Sequence, residues 1–141
     1  MTKQQKTSLR TLLESALTET SDNQPTLAAL FHQRLFIVAP EVRPLFSNKL
    51  SLQEQKFTWM LESLLTSLDR LDNLVPVLWE SGRHHKLYGA QDAHYPVVGA
   101  ALLWALEQKL GQERLTEEVK VAWREFYNLI SLIMQEAAKN A

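Results

Sequence analysis

Two neighbouring histidines are the residues of this chain that most clearly indicate chemistry. His84 and His85 lie in a segment that runs from Ser81 to Gly89, and His94 follows shortly after it. A histidine on an apolar helix face is costly unless something there uses its imidazole, and a metal or a metal-containing cofactor is one such use. The first question is therefore which imidazole faces inward.

The helical phase separates the two imidazoles. A helix is predicted from about Asp72 to Tyr88, and its apolar or small positions recur at spacings of three and four up to His85. These positions are Leu74, Val77, Leu78 and Ser81. At ~100° per residue, His85 lies near the centre of this stripe and His84 lies at its edge. We expect His85 to point inward and His84 to be solvated, although an inward histidine is more often a core residue than a ligand.

The composition is that of one domain, residues 1–141, with 45% apolar residues and a formal net charge of -1. No block of Lys or Arg stands out, so the electrostatic signature of a nucleic-acid or anionic-membrane partner is lacking. The absence of cysteine removes disulfides and thiolate ligands and fits the cytoplasm. The start of the chain lacks the apolar core of a signal peptide, and no apolar run reaches the length of a membrane span.

The apolar pattern predicts an all-α domain of six longer helices and at least one short one, with no alternating strand pattern. The boundary signals are Pro25 in a first helical turn, a short helix over Pro40 to Phe46, a capping box of Ser51 with Glu54, Asp92 and Thr116 as helix caps, and Gly111 as a helix end. The segment from Glu19 to Gln24 is predicted to be a loop. The apolar faces of three later helices include Phe57, Leu61, Leu64 and Leu68, then Tyr95, Val98, Leu102 and Leu106, then Ala122, Trp123, Phe126, Ile130 and Met134.

Three polar residues fall on these inward faces. His32 is flanked by Ala28 and Phe36, and periodicity favours a core histidine bonded to a backbone carbonyl over a donor or ligand in a cavity. Gln53 is either a first-turn residue in solvent or an amide donor at the mouth of a pocket. Tyr95 can be explained as core packing with a hydrogen-bonded hydroxyl. Phosphate loops, paired catalytic carboxylates and nucleophile elbows are not found in the sequence.

The order of these features resembles the globins. It is most similar to the single-domain bacterial globins related to the haem domain of flavohaemoglobins. The resemblance rests on Leu35-Phe36, on the segments 39–46, 82–89 and 94–99, and on Trp123 and Tyr127 in the last helix. It extends from about Leu9 to Met134 and implies a globin fold of about six to eight helices around one haem b.

The resemblance also implies roles for individual residues. His85 takes the position of the proximal histidine that binds the haem iron. The other positions implied to contact haem are Phe46, which stacks on the porphyrin, Gln53 on the distal side, Lys56 near a propionate, Phe57 over the haem, Tyr95 beside the proximal histidine, and Val98 in the haem wall.

Two positions depart from the family pattern. His32 stands where this group usually has a tyrosine that hydrogen-bonds bound oxygen. Its imidazole could donate the same bond if its tautomer allows, hold a water, or bind the iron as a sixth ligand, and we expect the donor role. The glutamate that supports the proximal histidine of flavohaemoglobins falls on Ala138 here, and Glu136 is out of register. Strongly activating chemistry is therefore not expected.

The function implied is reversible oxygen binding or transport, with an N–H donor from His32 or Gln53 stabilising the bound gas. Nitric oxide and carbon monoxide are further ligands expected at the same site. One alternative is a nitric oxide dioxygenase that works with an external reductase, because the chain lacks the flavin and nicotinamide domains of a flavohaemoglobin. Others are a redox or gas sensor in which His32 binds the iron, and a haem-free helical interaction module.

Overall fold

The computed structural model describes residues 1–19, 23–46, 49–87 and 89–140. In these ranges the chain forms six α-helices and two short 3₁₀ helices and has no strand, which confirms the predicted all-α class. The elements are α1 (Lys3–Thr18), α2 (Leu27–Val38), a 3₁₀ helix (Pro40–Leu45), α3 (Leu50–Thr66), a second 3₁₀ helix (Leu71–Asn73), α4 (Leu74–Leu87), α5 (His94–Leu110) and α6 (Glu117–Lys139). No helix of the described part has the length and apolar character that crossing a membrane requires.

Side-chain caps define the starts of three helices. The hydroxyl oxygen of Thr26 accepts from the backbone N–H of Ala29 at 3.1 Å, and that of Thr116 accepts from Val119 at 3.3 Å. Thr2 forms a reciprocal capping box with Gln5 at the start of α1. These bonds satisfy N–H groups that have no partner inside the helix. The cap predicted at Thr116 and the helix end predicted at Gly111 are both confirmed.

Three predicted boundary signals are wrong. Helix α3 begins at Leu50 after Lys49, so Ser51 lies inside the first turn and forms no capping bond. Pro25 precedes the cap residue of α2 and is not in its first turn. Asp92 lies in a turn before α5, which begins at His94. At Ser51 and Asp92 the helix begins at a different residue from the one that a cap there requires, and neither helix start has a side-chain cap bond. The predicted loop after Glu19 includes residues 20–22, and the predicted end of α4 includes Tyr88; these lie outside the described residues.

The core follows the predicted apolar faces. The largest fully buried side chains come from five helices and the α3–α4 connection: Leu9, Leu13, Leu35, Leu68, Leu78, Leu106, Trp123 and Phe126. An apolar stripe on a helix is buried when the helix packs against other helices. The periodicity of the sequence therefore predicts which side chains form the core.

The close contact of α4 with α6 fixes the helix that carries the paired histidines. Gly82 lies directly against the backbone of Met134, and a β-carbon at Gly82 would overlap it. On α5, Gly99 lies against the ring of Tyr127, whose hydroxyl donates to the backbone oxygen of Tyr95 at 2.6 Å. Close approach of this kind requires glycine. Helix α6 therefore anchors both α4 and the start of α5.

The opposite side of the molecule is formed by α2 and α3. Helix α2 packs along α5, and α3 packs on α1 and α2. Within the described ranges, α3 and α4 do not form one of the extended helix pairs. Helix α3, which carries Gln53, Lys56 and Phe57, and helix α4, which carries His85, are therefore positioned by different neighbours.

Candidate functional site

His85 lies in the last turn of α4, and its side chain is exposed. The predicted stripe is confirmed at Leu74 and Leu78, which are buried, but it opens to solvent at its end. The ring of His85 is thus not covered by protein side chains, although the helical phase predicted an inward position. A large apolar group would have room to contact this ring.

The backbone of α4 orients the His85 imidazole. Nδ1 lies 2.6 Å from the backbone oxygen of Ser81 and 3.2 Å from the hydroxyl oxygen of the same residue. Because a carbonyl oxygen has no hydrogen, Nδ1 must carry the proton and donate it. In the neutral ring, Nε2 then keeps an unprotonated lone pair, which is the form that binds a metal.

His84 has different surroundings from His85. Its Nε2 lies 2.8 Å from a carboxylate oxygen of Glu80 on the preceding turn, and both side chains are more than half exposed. The prediction that His84 is the solvated histidine is confirmed. The ion pair also directs the His84 ring toward an exposed carboxylate, so the Ser81-bonded His85 is the better candidate for a cofactor ligand.

The contact of Ser81 with the His85 ring was not predicted, because in the sequence Ser81 is only a small residue of the apolar stripe. The signal was its position four residues before His85, where a helix places the carbonyl and the hydroxyl beside the later side chain. It acts on the metal ligand candidate through hydrogen bonding, which is a known way of fixing a ring tautomer.

The carboxylate expected beside the proximal histidine in flavohaemoglobins is not found near His85 in the described part of the chain. Glu136 is exposed and lies 3.9 Å from Lys139, and residue 138, where the resemblance predicted the position of this carboxylate, is an alanine. The described hydrogen bonds of the His85 ring go to Ser81 alone. The ring is thus bonded to neutral oxygen atoms, which make it less electron-donating than a carboxylate partner would.

Tyr95 is buried at the start of α5. Burial raises the pKa of its hydroxyl, and the nearby Asp92 adds to the shift. Its backbone oxygen accepts from Tyr127, whose pKa is also raised by burial, so the donating hydroxyl stays protonated. Tyr95 therefore belongs to a rigid joint between α5 and α6 that supports the wall of the site, and Val98 lies half-buried one turn further along α5.

A second group of candidate residues is a cluster of aromatic rings around His32, which we call the aromatic cluster: Phe31, Phe36, Phe46 and Phe57. The ring centroids of Phe46 and Phe57 each lie 5.7 Å from that of His32, in edge-to-face arrangements. Phe31 stacks on Phe57 at 4.7 Å. Aromatic pairs prefer such geometries, so the rings hold one another in place. Phe46 and Phe57 are only half-buried and leave apolar surface available.

His32 is 2% exposed, and its Nδ1 lies 2.8 Å from the backbone oxygen of Ala28 on the preceding turn. The interpretation that periodicity favoured, a core histidine bonded to a backbone carbonyl, is confirmed. Burial lowers the pKa of the imidazole; the Ala28 carbonyl and Glu54 oppose this shift, while Arg43 adds to it. The ring is accordingly held in its neutral form.

Two predicted polar residues of α3 lie near this side. Gln53 is half-buried in the first turn, and Lys56 is exposed one turn before Met60. Neither side chain forms a described hydrogen bond that would hold it elsewhere. Gln53 thus keeps both its amide donor and its acceptor for a ligand, and Lys56 keeps its charge for an anionic group at the surface.

These residues fit a haem. His85 is exposed on α4 with its Nδ1 bonded to the helix backbone, Phe46 and Phe57 are half-buried, and Lys56 is exposed. An imidazole, apolar rings and a cation are the groups with which proteins bind a haem and its propionates. His85 would hold the iron, and Phe46, Phe57 and Val98 would contact the porphyrin.

Known proteins show the same fold and sequence features. The family model "Globin" matches residues 28–134. A flavohemoprotein of Bacillus cereus is 33% identical over 104 residues, which are 72% of this chain and 25% of that protein. A flavohemoprotein of Bacillus subtilis is 26% identical over 123 residues, or 85% of this chain and 31% of that protein.

The chain thus spans between a quarter and a third of these curated relatives. Among solved structures, a bacterial globin from Campylobacter jejuni superimposes with a TM-score of 0.80 at 22% identity, covering 99% of this chain and 97% of that one. The helical architecture, the family match and these relatives agree with the resemblance found in the sequence. The chain belongs to the globin family.

Proposed function

We propose that this globin holds one haem b through His85 and binds oxygen reversibly. The observation that carries the proposal is the Nδ1–H bond from the exposed His85 to the Ser81 carbonyl, which leaves Nε2 as the ring nitrogen for a metal. When bound, haem supplies an iron atom with an open position for a diatomic gas. Oxygen is the proposed physiological ligand, and nitric oxide and carbon monoxide would compete for the same position.

Apolar residues on both sides would exclude water from the haem. Phe46 and Phe57 present half-buried rings, and Val98 adds aliphatic surface from α5. Exclusion of water protects ferrous haem from oxidation and strengthens every polar contact with the gas, because electrostatic interactions are stronger at low dielectric. Lys56 would pair with a haem propionate at the surface.

The proximal side supports gas binding more than oxidative chemistry. The His85 ring is bonded to a neutral carbonyl and a hydroxyl, and Glu136 pairs with Lys139 instead of approaching it. A carboxylate partner would make the ring more electron-donating and would favour bond cleavage in bound oxygen. Its replacement by neutral partners favours release of oxygen unchanged.

The test is an oxygen equilibrium on the haem-loaded, reduced protein. We expect repeated removal and return of oxygen to cycle the absorption spectrum between two forms with no net loss to the ferric form. Conversion to the ferric form within the first cycle would contradict reversible binding.

A second candidate function is nitric oxide dioxygenation with an external reductase. It is favoured by the similarity to flavohemoproteins, of which this chain covers only part. A supplied reductase that sustains nitrate production at many turnovers per haem would support it. Loss of oxygen reactivity after a single turnover, despite the reductase, would rule out that role.

A further inference from the structure

Two histidines of this chain form the same local bond. His85 donates from Nδ1 to the carbonyl four residues before it, and His32 does the same toward Ala28 at 2.8 Å. Within the proposed haem function, we propose that the ring nitrogen of His32 on the ligand side is an unprotonated Nε2, so that His32 does not stabilise bound oxygen and instead accepts a hydrogen bond from ligands that carry their own proton. Gln53 then supplies the N–H donor.

The tautomer follows from the partner of Nδ1. The backbone oxygen of Ala28 can only accept, so the proton of a neutral His32 ring must lie on Nδ1. A neutral imidazole has one proton, and the remaining nitrogen, Nε2, keeps its lone pair. For Nε2 to donate, the ring would have to give up the Ala28 bond or become a cation.

The surroundings oppose both of those changes. Four phenylalanine rings surround the His32 ring, with centroid distances between 5.0 and 6.0 Å, and a side chain only 2% exposed cannot recover a lost hydrogen bond from water. A buried donor that loses its partner destabilises the protein because its desolvation is no longer offset by a hydrogen bond. The charged form is disfavoured chiefly because the site is desolvated. Glu54 favours the cation, and the guanidinium of Arg43, which lies over Phe36 at 4.6 Å, opposes it, so that the pKa of His32 is lowered on balance.

The ligand side is identified by the rings that contact His32. Phe46 and Phe57 lie edge-to-face with it, and both are half-buried rings of the proposed haem contact surface. Nδ1 is bonded to the Ala28 carbonyl, so Nε2 is the ring nitrogen that remains for a small molecule approaching over these rings. Oxygen accumulates negative charge on its outer atom when haem binds it, and a lone pair repels that charge. Water or hydrogen sulfide can donate to Nε2 instead.

The proton position can be measured directly by long-range ¹H–¹⁵N NMR on protein labelled with ¹⁵N-histidine, loaded with haem, reduced and saturated with carbon monoxide. A His32→Leu variant assigns the His32 signals by their absence. We expect the proton on Nδ1; a proton on Nε2 would overturn the proposal. Because the same spectrum can be recorded without haem, failure to bind haem would reject the proposed function and leave the tautomer measurable.

Two variants test the consequence for ligands. His32→Leu removes the lone pair, and we expect oxygen to dissociate at an unchanged or lower rate, with a lower carbon monoxide stretching frequency because negative potential near the ligand is removed.

His32→Gln places an amide donor near the former Nε2, and we expect oxygen dissociation to slow roughly three- to tenfold. Faster dissociation and a higher stretching frequency in His32→Leu, with no slowing in His32→Gln, would show that His32 is a donor.

Discussion

His85 and His32 are two imidazoles with the same local geometry and opposite surroundings. Each donates from Nδ1 to the carbonyl one helical turn earlier, at 2.6 and 2.8 Å. His85 is exposed at the end of α4, whereas His32 is enclosed by the aromatic cluster. The helix therefore sets the tautomer in both cases, and the neighbours decide the use: the open ring can reach a large cofactor, and the enclosed ring can reach only a small ligand.

Removal of His85 should have the largest effect. We expect His85→Ala to lose most haem retention, because no second imidazole lies one turn away to replace the iron ligand. Retention is measured as the rate of haem transfer to an excess of apomyoglobin. The matched control is His84→Ala, which removes a solvated ring paired with Glu80 and should retain haem normally.

Equal haem loss in both variants would show that the paired histidines act together, and normal retention in His85→Ala would reject the assignment of His85. Either result would contradict the conclusion that the exposed ring of His85 binds the cofactor while the enclosed ring of His32 reaches only a small ligand.

Gly82→Ala should destabilise the helix that carries His85. Its β-carbon would overlap the backbone of Met134, and an overpacked contact of this kind costs about 1–3 kcal/mol. We expect a lower midpoint in urea unfolding, with the exposed neighbouring change Arg83→Ala within about 0.5 kcal/mol of the parent. Unchanged stability in Gly82→Ala would mean that α4 can move away from α6 at little cost, so that the contact with α6 does not fix the helix that carries His85.

Gln53→Leu should increase the oxygen dissociation rate. If Gln53 is the N–H donor, loss of one hydrogen bond of about 0.5–1.5 kcal/mol corresponds to roughly a two- to tenfold change. The control is Gln55→Leu, an exposed glutamine in the same helix, which should leave the rate unchanged. Stopped-flow displacement of oxygen by carbon monoxide measures both rates. An unchanged oxygen dissociation rate in Gln53→Leu would mean that Gln53 is not the donor and would make His32 the candidate donor.

Ser81→Ala should have the smallest effect. It removes the hydroxyl at 3.2 Å from His85 Nδ1 but keeps the carbonyl at 2.6 Å, which is the shorter bond. We expect haem loss within roughly twofold of the parent, since one weak hydrogen bond is worth about 0.5 kcal/mol. Haem loss comparable with that of His85→Ala would show that the serine side chain, and not the helix backbone, holds the ring.

Sequence periodicity predicted most of the fold because burial follows the helical repeat. The stripes through Leu61, Leu106 and Phe126 are buried as expected. Helix starts were predicted less well, because a cap requires the helix to begin at the residue directly after it. Ser51 was expected to be the cap of α3, whereas α3 begins at Leu50 with Lys49 as its cap residue. Local sequence signals determine which side chains can cap, but tertiary contacts determine where the helix begins.

The candidate site was predictable where a residue type and its helical phase suffice. His32 was expected to bond a backbone carbonyl, and it does. The role of Ser81 and the stacking of Phe31 on Phe57 were not predicted, since the first depends on a rotamer and the second on how two helices meet. The exposure of His85 also could not be derived, because the apolar stripe that contains it ends in open surface and not in protein core.

The most direct measurement is the absorption spectrum of the haem-reconstituted protein, ferric and dithionite-reduced, with and without carbon monoxide. We predict a reduced five-coordinate form, held by His85 alone, that takes up carbon monoxide completely. A protein that acquires no haem spectrum, or a reduced form that is six-coordinate and low-spin before any gas is added, would contradict the central claim that His85 holds a haem whose other side is open.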